Sequence, residues 1–338
     1  VGRREFLKLM GASLALAGLA GCGSPAPTNE KIVPYVRAPE EMVPGKPLFF
    51  ATAMTLGGFA TGLLVESHEG RPTKVEGNPE HPASLGATDA FAQASVLTLY
   101  DPDRSQVVTK AGRISTWNAF FAELNAELET QRLRRGAGLR LLTETVTSPT
   151  LASQIKALLA AFPKASWHQY EPAGRDAARA GARLAFGEDA DTHYRLDRAD
   201  VILALDADFL ASGPGCVRYA RDFAARRRVR GREAAMNRLY VVESTPSCTG
   251  SMADYRLPLR PGRMEEFARA LARGLGLAVG PETGAGPSAA HAKWTAAVVR
   301  DLQRHPGASV VLAGEEQPPL VHALAHGMNH ALENVGHT

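Results

Sequence analysis

Val201-Ile-Leu-Ala-Leu-Asp206 is the stretch that decides the fold of this 338-residue chain. Five apolar residues run without a break and end in a carboxylate. A strand with one wet face alternates apolar and polar side chains, whereas a strand of a parallel sheet is covered on both faces and reads as a continuous apolar run. Leu239-Tyr-Val-Val-Glu243 repeats the pattern, and Ser309-Val-Val-Leu-Ala313 is a third such run. Helical patterns separate them over Val217–Arg228, Met264–Leu275 and Trp294–His305, and Pro318–Glu333 closes the chain. Upstream, the same alternation begins near Thr116. Trp117–Leu128 reads as a helix and Leu139–Leu142 as a strand. Ser148-Pro149 caps a helix running to Phe162, with proline in its first turn. Ser166–Tyr170 is a strand and Arg175–Phe186 a helix. Strand–helix alternation of this kind predicts an α/β fold with a parallel sheet, whose ligands sit at the strand carboxyl ends.

The chain before Thr116 has a different texture. Pro34, Pro39, Pro44 and Pro47 forbid a long helix over residues 32–47. From Leu48 to about Tyr100 a small β-rich unit is expected: Gly62–His68 as a strand, Glu69-Gly70 as the turn, and Pro72–Glu76 as the return strand. The expected organisation is a signal over 1–21, a tether and extended linker over 22–47, a β-rich domain over 48–110, and an α/β domain over 111–338.

Composition narrows the function classes. Net charge is +3, and Arg3, Arg4 and Lys8 against Glu5 supply +2 of it, so the remainder is nearly neutral and unlike a nucleic-acid-binding chain. Three cysteines exclude both a disulfide-dense scaffold and any four-thiolate site built within the chain. No apolar run is long enough to span a membrane. Arg3-Arg4 followed by a weakly hydrophobic segment matches a twin-arginine export signal. Leu19-Ala-Gly-Cys22 resembles a bacterial lipobox, in which Cys22 would be lipidated, and the small, proline-rich run to Asn29 suits a tether. The expected location is the periplasmic side of the bacterial inner membrane, held by a lipid anchor.

Two segments together resemble the molybdopterin oxidoreductase family. The first is Glu69-Gly-Arg-Pro-Thr-Lys-Val-Glu-Gly-Asn-Pro-Glu-His-Pro82, with Gly86 after it and Tyr100–Arg104 and Trp117-Asn-Ala119 following. The second is Ala199–Asp208, then Val242-Glu243, Thr249-Gly250, Ala253-Asp254 and Leu257–Gly262, with Val310–Gly314 and Asn334-Val-Gly336 beyond. The resemblance runs from about residue 48 to the end. It implies a degenerate iron–sulfur-type β-rich domain followed by a Rossmann-like α/β domain of molybdopterin-oxidoreductase type.

Departures from the family pattern carry the functional expectation. Active members hold a [4Fe-4S] cluster near the N-terminus, but the matching stretch Ala51–Gly62 and the later Gly86–Asp89 contain no cysteine. Where relatives often place Pro-Gly-Thr-Asp, with the acid facing a guanine, this chain has Pro261-Gly-Arg-Met264. It stops at Thr338, partway through the family's plan, so a fragment or a split version is expected. These features resemble the cofactor-less N-terminal half of the B subunit of alternative complex III. That resemblance implies a non-catalytic scaffold in a quinol:electron-acceptor oxidoreductase, with no cofactor in this segment. Iron–sulfur clusters and haem c would lie elsewhere, on a ferredoxin-like domain and multihaem cytochrome c subunits beside a quinol-oxidising membrane subunit. The alternatives are a catalytic fragment of a polysulfide-reductase-type molybdoenzyme and an unrelated periplasmic binding lipoprotein.

Several residues stand out as candidate sites. Asp206, Asp208, Ser244, Thr245 and Thr249 fall at strand carboxyl ends, where the resemblance places pterin phosphates; in a cofactor-less relative these loops are vestigial. His322, His326 and His330 repeat every fourth residue on the last helix, as interface histidines or a weak metal site. Arg226, Arg227, Arg228, Arg230 and Arg232 form a basic run, either a solvated helix end or a contact with an acidic partner or lipid head groups. Cys216 and Cys248 fall at one sheet edge if their strands are neighbours, and are either free or bonded.

Overall fold

β8 (Val201–Leu205) lies at the centre of the α/β layer, and all five of its residues are 0% exposed. The computed structural model describes residues 41–229, 231, 235–280 and 289–338. The export signal with Arg3 and Arg4, the lipobox Cys22, and Arg230 and Arg232 lie outside the described residues. In chain order, β1 (Leu48–Leu56), β2 (Phe59–His68) and β3 (Arg71–Gly77) form an antiparallel meander. Its turns are Gly57-Gly58 and Glu69-Gly70, all four at positive φ, as a two-residue hairpin turn between right-twisted strands requires. The short helix α1 (Ala90–Ala94) follows, capped by the Asp89 carboxylate, which accepts the Ala92 N–H at 2.7 Å. Next come a two-residue hairpin, β4 (Thr109–Lys110) with β5 (Arg113–Ile114), and the helix α2 (Trp117–Leu133).

β6 (Arg140–Thr143), α3 (Pro149–Ala161) and β7 (Ser166–Gln169) make a parallel crossover unit. The expected Ser148 cap is present, its hydroxyl accepting the Leu151 N–H at 3.3 Å. α4 (Asp176–Phe186) ends at Gly187 in the left-handed conformation. After β8 come α5 (Cys216–Arg226), β9 (Arg238–Glu243), the short α6 (Cys248–Ser251), β10 (Tyr255–Pro258) and α7 (Met264–Gly274). Helix α8 (Ala289–Gln303), β11 (Ser309–Ala313) and α9 (Pro319–Ala331) complete the chain. The main sheet is parallel in the order β10-β9-β8-β11.

Its two faces explain the continuous apolar strands. Val201, Leu203 and Leu205 share one buried cluster with Met264 and Leu271 of α7, Val298 and Leu302 of α8, and Val321 and Met328 of α9. Ile202 and Ala204 face the other way, against Leu196, Phe209, and Tyr219 and Phe223 of α5. Both faces are dry, so neither set of alternate residues can be polar.

Most expected elements form near their expected bounds, although α8 begins at Ala289 rather than Trp294 and the sequence reading did not assign β10, β4, β5, α1 or α6. β6 and β7 do not join the main sheet but pair only with each other. Their residues already differ from β8: Arg140, His168 and Gln169 interrupt the apolar run, and Leu142 is 73% exposed. β1, unassigned from sequence, forms over Leu48–Leu56 with nearly every residue exposed, so it has no buried face to leave a period-two pattern.

Burial is uneven. No residue between Val96 and Tyr194 belongs to any of the buried apolar clusters. In that interval Ile114, Trp117, Phe120, Phe121, Leu133, Leu142 and Tyr170 are exposed, with Trp117 at 64%. Among the described residues no helix is long and apolar enough to cross a membrane. The contrast is measurable by urea unfolding. Leu203→Ala should lower stability by roughly 2–5 kcal/mol, the range for a cavity in a packed core. Leu142→Ala should change it by less than about 0.5 kcal/mol, as an exposed substitution does.

Candidate functional site

The main sheet has a switch point. From β8 the chain steps to β9 and then β10 on one side, then crosses back to place β11 on the other. Connections therefore diverge at the carboxyl ends of β8 and β11, leaving a crevice between them, the usual ligand position in open α/β sheets. Here it is a cavity of about 240 Å³, lined among others by Arg175, Tyr194, Tyr219, Glu315, His322 and His326.

Asp206 ends β8 at φ +53. Its carboxylate accepts the Ser244 N–H at 3.0 Å, the Ser244 hydroxyl at 3.3 Å and the Gln317 side-chain amide at 2.9 Å. Gly314, just past β11, passes so close that an added Cβ would lie 1.9 Å from the Asp206 carbonyl oxygen, so only glycine fits there. Asp208 accepts the Thr249 N–H at 2.8 Å, and the fully buried Thr249 hydroxyl accepts the Leu210 N–H at 3.1 Å. Thr245 is exposed. Four of the five expected strand-end residues are thus drawn together, and they bond to one another's loops.

Sequence reading missed the charged framework around the cavity. Arg175, at the start of α4, donates from Nε to both Glu315 oxygens at 3.0 Å and from Nη1 to Asp191 at 3.0 Å. Its guanidinium lies 5.6 Å from the Phe59 ring centroid, linking the β-meander to the α/β layer. Glu243, 2% exposed at the end of β9, is paired with Arg256 of β10 and accepts the Ser247 hydroxyl at 2.6 Å. The ion pairs among these contacts join residues 13 to 140 positions apart in sequence, so no local signal marks them.

The histidine ladder does not present one face. His322 is buried, His326 is half-buried with its ring 4.9 Å from Phe186, and His330 is exposed. A four-residue step turns an α-helix by about 40° beyond a full revolution, so three such residues sweep from core to solvent. Among the described residues no group of three His, Cys, Asp or Glu side chains could hold a metal ion. The basic run divides too. Arg226 pairs with Asp200, and Arg227 binds Asn237 at 3.0 Å and Asp254 while lying 4.5 Å from the Phe223 ring centroid. Both guanidiniums therefore tie the end of α5 to its own layer, which leaves Arg228 as the exposed member among the described residues. Cys216 and Cys248 are free, and burial, with Asp89 nearby, pushes the Cys216 thiol up.

The cluster and pterin–guanine groups implied by the family resemblance do not fit these residues. The place of the cluster-binding stretch is taken by the β1–β2 hairpin over a small apolar core of Leu63, Val75 and Ala92, packed by Met54, Val65 and Val96. Leu48–Arg104 contains no thiolate to hold iron. At the strand ends, backbone N–H groups of Ser244 and Thr249 that could receive phosphate oxygens already bond to Asp206 and Asp208. Met264 is fully buried and Arg263 pairs with Glu266, so neither replaces a guanine-facing acid.

Comparisons with known proteins bear on the fold and its family likeness. No family model matches the chain. It is 26% identical over 235 residues to the "Menaquinone reductase, molybdopterin-binding-like subunit" of Nitratidesulfovibrio vulgaris, an alignment covering 68% of this chain and 33% of that protein. Its fold superposes on acetylene hydratase from Pelobacter acetylenicus with a TM-score of 0.52 at 13% identity, over 82% of this chain and 43% of that one. The chain thus spans about a third of the curated relative's length and under half of the solved structure's.

His322 makes the cavity wall sensitive to acid. Burial first, then His326 and Arg175, lower its pKa to about 4. The unfolded ring titrates near 6.5. As pH falls from about 6.5 to about 4, the unfolded chain takes up a proton that the folded chain refuses, so stability drops across that window. The loss should reach about 3 kcal/mol at most. Urea unfolding at stepped pH values should show it, and His322→Gln should flatten the dependence.

Proposed function

We propose, taking as premise that this chain is a molybdopterin oxidoreductase-like protein, that it serves as a non-catalytic scaffold in a membrane-attached respiratory quinol:electron-acceptor oxidoreductase of alternative complex III type. The observation that carries this reading is the set of large apolar side chains left exposed between residues 97 and 170. A parallel two-stranded sheet is marginal alone, and its strands ordinarily need cover on both faces. Here Leu142 of β6 and Tyr170 just past β7 are exposed, and so are Trp117, Phe120 and Phe121 of α2, mutually packed with centroids 5.5–5.9 Å apart. An exposed apolar surface of this extent marks a contact with another polypeptide. The name of the relative, a subunit of a menaquinone reductase, supports a respiratory assembly.

In this reading electron transfer bypasses the segment. Iron–sulfur clusters on a ferredoxin-like part and haem c on multihaem cytochrome subunits carry the electrons from a quinol-oxidising membrane subunit. The chain is exported through Arg3-Arg4 and held at the periplasmic side of the inner membrane by lipid on Cys22. The missing thiolates and the self-bonded strand ends argue against the catalytic-fragment alternative.

The deciding experiment is elemental analysis with electron paramagnetic resonance on the chain purified from a host that makes both cofactors. Neither molybdenum with pterin nor a reducible iron–sulfur signal is expected; either one at stoichiometric level would overturn the scaffold reading. The assembly has its own test. Trp117→Ser with Phe121→Ser should change folding stability by less than about 1 kcal/mol, because both rings are exposed. The same pair should reduce recovery of partner subunits on affinity purification from the native membrane, and unchanged recovery would remove α2 from the interface.

A further inference from the structure

The cavity between the carboxyl ends of β8 and β11 is a surplus of acceptors. Nε2 of His322 is buried without a hydrogen-bond partner, on a residue 6% exposed that lines the cavity. Backbone carbonyls of Gln317 and Glu315 lie beside its ring as acceptors, which favours the neutral tautomer with its proton on Nδ1. Nε2 then presents a lone pair. Gln317, 4% exposed, donates its amide to Asp206, and its Oε1 is likewise buried without a partner. Gln317 is not among the residues lining the cavity, whereas His322 is; a buried polar atom left unpaired costs about 1–3 kcal/mol, so His322 Nε2 calls for a donor from outside the chain.

Charge points the same way. Asp191, Asp206, Asp208, Glu315 and Glu316 line the cavity, against Arg175 and Arg179. Arg175 is already engaged by Glu315 and Asp191, and Arg179 lies 3.7 Å from Asp176. The histidines are held neutral by burial. An anion would meet excess carboxylate and amides already in use. One water occupies only about 30 Å³ of liquid, whereas the cavity measures about 240 Å³. Phe209, Leu312 and the rings of Tyr194 and Tyr219 supply apolar and aromatic wall for methylenes or an ammonium.

We propose that this cavity binds a small organic cation bearing primary ammonium groups, donating to His322 Nε2 and the surrounding carboxylates. A linear diamine is the simplest such ligand. The assignment goes beyond the scaffold reading and does not rest on it.

Isothermal titration of the purified chain with 1,4-diaminobutane tests it, with pyrophosphate titrated in parallel. Saturable one-to-one binding of the diamine is expected, with no binding of pyrophosphate. Glu316→Gln removes a charge from an exposed wall residue and should weaken the diamine severalfold. His322→Phe should weaken it about tenfold, a difference of about 1.4 kcal/mol. His322 packs against Gly181, whose added Cβ would lie 2.3 Å from it. Should the His322 variant fail to fold, Glu316→Gln alone decides. The proposal is overturned by the absence of saturable diamine binding at concentrations up to about 10 mM, by binding that the folded variants leave unchanged, or by preferential binding of pyrophosphate.

Discussion

At the carboxyl end of β8 the Asp206 carboxylate accepts the Ser244 backbone N–H and the Gln317 side-chain amide, holding the loops after β9 and β11 to its own strand. Three neighbouring strand ends are tied by one side chain. The geometry demands an unusual backbone, with Asp206 at positive φ and Gly314 pressed against its carbonyl. Aspartate tolerates the left-handed region better than most residues, and glycine alone permits the close approach. The shape of the switch-point crevice, and which donors remain free in it, follow from this tie.

The same interaction separates the chain from the cofactor-binding plan it resembles. A phosphate site at strand ends needs backbone N–H groups facing open space. Here Asp206 and Asp208 take those groups and bring negative charge with them. The β-meander changes in parallel, because an apolar cluster around Leu63 and Val75 occupies the domain where iron would need thiolates. In both places ordinary protein interactions occupy groups that a prosthetic group of the resembled plan would need. The fold keeps its layers because β8, buried on both faces, does not depend on what binds at its end.

The chain also divides by burial. The main sheet and α7, α8 and α9 form a dry core, whereas α2 and the β6–β7 pair leave aromatic and aliphatic side chains in solvent. Exposed apolar residues scattered singly are ordinary, but three packed aromatic rings on one helix form a patch. This asymmetry places the buried apolar core of the chain in one layer and its exposed apolar side chains in another.

Continuous apolar runs such as Val201–Leu205, cap residues such as Ser148, and glycines at turns determined the elements and the parallel class from sequence alone. They could do so because backbone propensity and two-sided burial act on neighbouring residues. The absence of cysteine from Leu48–Arg104 was equally legible, being read directly from the residues. Only the tertiary structure decided that β6 and β7 stand apart from the main sheet, since pairing depends on which edges meet. It also decided that Arg226 and Arg227 are internal ties, and that His322, His326 and His330 range from core to solvent. The cavity framework of Arg175 and Glu315 joins residues 140 positions apart. Such contacts are products of chain crossing rather than spacing, so the sequence carries the residues but not their meeting.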